Sequence, residues 1–194
     1  MNEFKNGHKI FIAGSTWPHD EQLVAALVTE FPKWKFIIAP HEISEEKINK
    51  LMELLPPGSA IRYSTFTTHH SPLTTHQTLI IDNIGMLSSL YQYGDIAFIG
   101  GGFGAGIHNT LEAAAFGLPV IFGPNYSRFK EAKDLIAINA GFSITNADEL
   151  KSITGKLIND EAFYSTTNEK IKSYAEEHTG ATSNIAAYIY SGLK

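Results

Sequence analysis

Short, nearly continuous apolar runs alternate with stretches whose apolar positions recur every three or four residues. The runs at 9–13, 35–39, 78–81, 95–99 and 119–122 predict buried strands, with weaker ones at 60–64 and 142–144. Between them lie helical patterns. Asp20 opens one with Leu23, Val24, Leu27 and Val28 on a single face. Ser44, followed by Glu45, Glu46 and Lys47, has the look of a capped helix start, and Pro56-Pro57-Gly58 ends that helix. Further helices are expected at 85–93, 107–116 and 128–139, and almost continuously after Ala147, with breaks near 155–160 and Gly180. The segment 66–77 is a polar Thr/His loop by composition.

Strands that alternate with helices, and are apolar throughout, belong to a parallel sheet covered on both faces. The expected fold class is therefore α/β, a doubly wound parallel sheet of Rossmann-like type. Residues 1–194 are expected to form one domain, with the sheet core at about 1–159 and C-terminal helices at about 160–194. Ligands of such sheets bind beyond the carboxyl ends of the strands, which directs attention to the loops at 14–20, 40–44, 82–85, 100–108 and 123–129.

Composition narrows the chemistry. The chain has no cysteine, which removes disulfides, thiolate zinc sites and a cysteine nucleophile together. A net charge of -5 argues against a nucleic-acid partner. Residues 1–9 are polar, so no signal peptide is expected, and no apolar run is long enough for a membrane span. A cytoplasmic location is the default.

The segment Gly100-Gly101-Gly102-Phe103-Gly104-Ala105-Gly106 puts five glycines in seven residues between a strand and a helix. Such a loop lets the backbone approach a ligand, and the helix expected to follow it would offer free N–H groups to a phosphate. It is neither a Walker loop nor, at the first βα turn, a dinucleotide fingerprint. Close chain packing is the alternative role for the glycines. Glu112, flanked by Leu111 and Ala113, could accept both hydroxyls of a ribose. His108 could meet a phosphate, a sugar carboxylate or a hydroxyl, or cap the helix, and Asn109 has the same options. Ser15 and Thr16 could donate to a ligand or form a plain turn. Asp20 and Glu21 are expected as first-turn helix charges. Asn125 and Arg128 are further candidate contacts, and Trp17 and Trp34 are expected to pack. His69, His70 and His76 lack a carboxylate at ligand spacing, so a solvated loop is favoured over a metal site.

The series Asp95-Ile-Ala-Phe-Ile-Gly-Gly, His108-Asn109-Thr110-Leu-Glu112-Ala-Ala, Gly117-Leu-Pro119-Val-Ile-Phe-Gly123-Pro124 and Phe129-Lys-Glu131 resembles the donor-binding half of the 3-deoxy-D-manno-octulosonic acid (Kdo) transferases. Ser15-Thr16 with Asp20-Glu21 is similar to that family's Ser-Thr turn and acidic pair, and Asp82 to Leu87 resembles its Asp-Thr-x-Gly-Glu-Leu segment, Gly85 included. The resemblance implies the C-terminal half of a GT-B glycosyltransferase. The donor would be CMP-Kdo and the acceptor the lipid A precursor, reached through an N-terminal domain that supplies a carboxylate base. No metal or other cofactor is implied, and membrane contact would be confined to the full-length enzyme at the cytoplasmic face of the inner membrane. An isolated donor half is expected to bind without turnover, with no catalytic residue of its own.

Carried over by motif, Ser15 and Thr16 would face the donor. Gly101, Gly102, Phe103, Gly104 and Gly106 would wrap its phosphate. His108, Asn109, Thr110 and Glu112 would hold the CMP and sugar. Pro40-His41 stands where the family has Pro-Arg-His, so its arginine is absent unless Arg128 or Lys130 replaces it, and Met86 replaces a glutamate. Two rival expectations are half of another GT-B enzyme (a UDP-sugar transferase or UDP-sugar 2-epimerase) and a stand-alone nucleotide-binding module.

Overall fold

The computed structural model describes residues 1–69 and 75–178. His70, the side chain of His69 and the segment 179–194 lie outside the described residues. A seven-stranded parallel sheet forms the centre, in the spatial order β3-β4-β2-β1-β5-β6-β7. Its strands are β1 (Ile10–Thr16), β2 (Lys35–Pro40), β3 (Ala60–Arg62), β4 (Thr78–Ile80), β5 (Ile96–Ile99), β6 (Val120–Phe122) and β7 (Gly141–Ser143).

Successive side chains of a strand point to opposite faces, and each face has its own core. Ile10, Ile12, Ile37, Ala97, Ile99, Val120 and Phe122 bury one face beneath a cluster that includes Leu90, Tyr91, Ala113, Leu135 and Ile171. These belong to or adjoin α5 (Leu87–Leu90), α6 (Leu111–Ala114), α7 (Lys130–Ala137) and α9 (Glu161–Glu177). Phe11, Ala13, Phe36, Ile38, Phe98 and Ile121 bury the other against Val24, Val28, Ile48, Leu51, Leu150 and Leu157. Those come from α2 (Pro18–Glu30), α3 (Glu45–Leu54) and α8 (Ala147–Asn159). A short α1 (Asn2–Lys5) precedes the sheet, with Phe4 fully buried.

Several expected boundaries shift. The third strand ends at Arg62, and α4 (Tyr63–His69) occupies part of the stretch expected as loop, because Asp82 accepts from the Ser64 N–H at 2.9 Å and holds its start. The break expected near 155–160 falls at Asp160, between α8, which runs to Asn159, and α9. The expected helix over 107–116 shrinks to the four residues of α6. No helix among the described residues is long and apolar enough to cross a membrane.

Strand order reverses between β1 and β5. To one side the chain proceeds to β2, and to the other it continues through β6 and β7. The loops that leave β1 and β5 therefore diverge to opposite faces and open a crevice between them.

Candidate active site: a crevice at the switch point

β1 ends in an irregularity. Gly14 pairs with Ala39 and Thr16 with Pro40, so Ser15 is the extra residue, at φ 53. A bulge of this kind re-aims a side chain, and strained backbone of this sort clusters at functional sites. Ser15 borders a small pit of about 100 Å³ with Leu87, Tyr91, Ile99, His108, Asn109 and Glu112. Asn109 donates to Glu112 Oε1 at 3.2 Å and accepts from the Leu111 N–H at 2.9 Å. Burial pushes the Tyr91 phenol well up, and the Glu112 charge adds to it.

The glycine-rich loop closes on itself. Gly104 and Gly106 both donate to the Gly101 carbonyl, at 2.9 and 3.2 Å, and the His108 N–H reaches the Gly100 carbonyl at 3.1 Å. Its other flank is stapled by the segment after β6. The Asn125 backbone donates to Gly102 O at 2.9 Å and its side chain to Gly104 O at 2.8 Å, while Arg128 donates to Ala105 O. Thus Arg128 is engaged in holding the loop, and Lys130 pairs with Asp134.

Most of the glycines answer the chain's own packing. A Cβ on Gly100 would stand 2.2 Å from Ser15 O, and one on Gly102 would stand 2.6 Å from Gly123 N. Gly101 and Gly106 have φ of +91 and +138. Only at Gly104 is the space nearly open. Because α6 is so short and begins at Leu111, the expected fan of helix amides beside the loop does not form.

A larger cavity of about 440 Å³ lies between this loop and the start of α2, bordered by Gly101, Phe103, Gly104, Ala105, Gly106, His108, Trp17, Pro18, His19 and Asp20. Trp17, expected to pack, is instead 36% exposed, with its ring stacked on His41 at 4.7 Å. His41 lies 4.4 Å from His108, so three rings stand in a row at the crevice. The Trp17 indole N–H points to His108 Nε2 at 3.3 Å. An indole only donates, so Nε2 is the bare nitrogen and Nδ1 carries the proton. Burial, with His41 adding to it, holds the His108 imidazole below its ordinary value, so at neutral pH the ring is uncharged.

Asp20 and Glu21 stand in the first turn of α2, as expected, but they are buried. They are 1% and 8% exposed. Asp20 Oδ2 accepts the Trp17 N–H and the Gly101 N–H, both at 2.9 Å, while Oδ1 has no partner. Glu21 accepts from the Thr16 hydroxyl at 3.2 Å. Burial raises both carboxyls above the usual range.

The remaining sequence candidates separate. Thr16 faces a neighbouring cavity of about 310 Å³ whose wall includes Glu21, Glu42 and Lys47. Gly102 and Thr110 are buried supports, and Pro40 ends β2. Gly85 is exposed at φ +91 in the turn before α5, and it lines none of the described cavities. Trp17, His19 and Asp20 were missed as site residues. The available signals were their position in the first βα turn and, for Asp20, its match to the acidic pair of the Kdo transferases. Among the described residues no His, Asp or Glu cluster could hold a metal.

No protein-family model matches the chain. It is 31% identical over 150 residues to a 3-deoxy-D-manno-octulosonic acid transferase of Chlamydophila psittaci, covering 75% of this chain and 34% of that protein. It is 26% identical over 181 residues to a bifunctional glycosyltransferase/methyltransferase of Fusobacterium nucleatum, covering 91% of this chain and 27% of that one. The chain thus spans about a third or less of the length of these two relatives. In structure it matches the C-terminal CMP-Kdo binding domain of WaaA from Acinetobacter baumannii with a TM-score of 0.70 and 22% identity, covering 88% of this chain and 92% of that domain. The chain is accordingly a sequence relative of the Kdo transferases, and its fold is that of a GT-B C-terminal domain.

Proposed function

We propose that this chain is the donor-binding domain of a Kdo transferase, holding CMP-Kdo while an acceptor domain presents the lipid A precursor at the inner membrane. The observation that carries this reading is the meeting of Ser15, His108, Asn109 and Glu112 around one pit, beside the loop cavity, at the switch point of the sheet. The relatedness to Kdo transferases, and the likeness in fold to a CMP-Kdo binding domain, support CMP-Kdo as the donor.

Each part has a chemical task. The Glu112 carboxylate suits the two hydroxyls of the CMP ribose. The neutral His108, with its Nδ1–H, suits the charge that collects on CMP as it departs. Donors fixed in place before the reaction need no reorganisation, so they can act without a metal. The base that deprotonates the acceptor hydroxyl comes from the acceptor domain. This chain therefore binds donor and does not turn it over.

Calorimetric titration with CMP, and with UDP as control, tests the reading. CMP is expected to bind at least about tenfold more tightly than UDP. Glu112→Ala is expected to weaken CMP by about tenfold to a hundredfold, the range for a hydrogen bond to a charged group. Preference for UDP would move the chain to another GT-B enzyme. Absence of CMP binding, both alone and with an acceptor domain restored, would sink the nucleotide reading.

A further inference from the structure

Asp20 is built as more than a helix cap. At the third position of α2 its carboxylate reaches back to the Trp17 N–H, as a capping residue does. The same oxygen also accepts from Gly101, which is distant in sequence and lies on the far side of the crevice.

Gly101 is the node of the glycine loop. Its N–H goes to Asp20, and its carbonyl takes the N–H groups of both Gly104 and Gly106. Fixing Gly101 therefore fixes the loop at its root. The opposite flank is tied to Asn125 and Arg128, so Asp20 supplies the attachment on the α2 side. The cavity of about 440 Å³ lies on the α2 side of the loop and is bordered by both Asp20 and Gly101.

The cost of this carboxylate is visible. It is almost wholly buried, its second oxygen has no partner, and burial raises its pKa. Buried polar atoms are normally satisfied, and an exception calls for a reason beyond packing. A residue that merely capped α2 could do so from the surface.

We propose that Asp20 is a positioning residue, which ties Gly101 to the start of α2 and so holds the donor loop in its binding shape before ligand arrives. The proposal rests on the donor-binding reading above. It predicts that the loop is ordered in the free protein and that affinity depends on Asp20 without contact to the nucleotide.

Amide hydrogen exchange in the ligand-free chain reads the clamp, and CMP titration of the same samples reads its consequence. Asp20→Ala is expected to speed exchange at Gly101, Gly104 and Gly106 by about tenfold or more, with amides in β1 and β5 unchanged. It is expected to weaken CMP by about tenfold. Asp20→Asn keeps an acceptor oxygen for both N–H groups and is expected to restore both properties. If Asp20→Ala does not fold, Asp20→Ser, too short to span to Gly101, takes its place. Unchanged loop exchange in the variant would overturn the clamp. Faster exchange with undiminished CMP affinity would overturn its role in binding. If the wild-type chain binds no CMP, the donor reading fails, while the exchange measurement still decides whether Asp20 holds the loop.

Discussion

Ser15 shows how a single residue reports a site. Its φ of 53 places it in the left-handed region, which costs an L-residue about 1–2 kcal/mol. Glycine would relieve that strain but lose about 0.5–1 kcal/mol through its freer unfolded chain. Ser15→Gly is therefore expected to raise stability in urea denaturation by about 0.5–1 kcal/mol. It is also expected to weaken CMP, because the hydroxyl beside Glu112 is gone. Asp20 makes a prediction in pH. Its folded-state pKa is raised by burial, so the native chain binds its proton more tightly than the unfolded chain. Its contribution to stability is greatest in acid. It is lost as pH rises from the ordinary carboxylate range, near about 4, through the raised value. Asp20→Asn should flatten that fall, and the difference between the two denaturation series across pH isolates it from other groups. Neither residue's environment was legible in the sequence. The bulge at Ser15 needs the pairing of β1 with β2, and burial of Asp20 needs Gly101 brought across the crevice.

At the scale of elements, the glycine-rich loop was conspicuous in the sequence, yet its physical basis was only half visible. Gly102 touches Gly123 backbone to backbone, whereas Gly104 faces open space. Gly102→Ala is accordingly expected to destabilise the chain by about 1–3 kcal/mol, the usual cost of overpacking. Gly104→Ala should stay within about 0.5 kcal/mol, as at an unconstrained surface site. Urea denaturation of the pair separates packing glycines from the one left free for a ligand. The strands were legible because burial on both faces leaves runs of apolar residues, and each observed strand overlaps an expected one. The helix after the loop was not. Its pattern continues upstream through Ile107, but the His108 N–H is bound to Gly100 O, and the chain turns helical only at Leu111.

The whole molecule explains why the site lies where it does. Reversal of strand order between β1 and β5 opens the crevice, and the loops after those strands are the ones that carry Ser15, Asp20, the glycines and His108. It also bounds what the chain can do. On the proposed reading, donor-side groups supply leaving-group stabilisation and the base for the acceptor comes from the acceptor domain. The isolated chain is expected to show no Kdo transfer from CMP-Kdo to a lipid A precursor, measured by mass spectrometry of the lipid product, while still binding CMP. Transfer by this chain alone would refute the division of labour.

Apolar runs and 3.6-residue periodicity, read along the chain, determined the α/β class, the positions of the strands and the loops worth inspecting, because those signals are local. Motif order added the relatedness to Kdo transferases and the candidates His108, Asn109 and Glu112, which the fold brings to one pit with Ser15. Only the tertiary structure decided that Trp17, His41 and His108 stand in a row, that Arg128 serves the loop, and that Asp20 is buried beneath it. Each of these depends on contacts between segments far apart in the chain. Burial, pKa and partnership are properties of the packed neighbourhood, which no local pattern encodes.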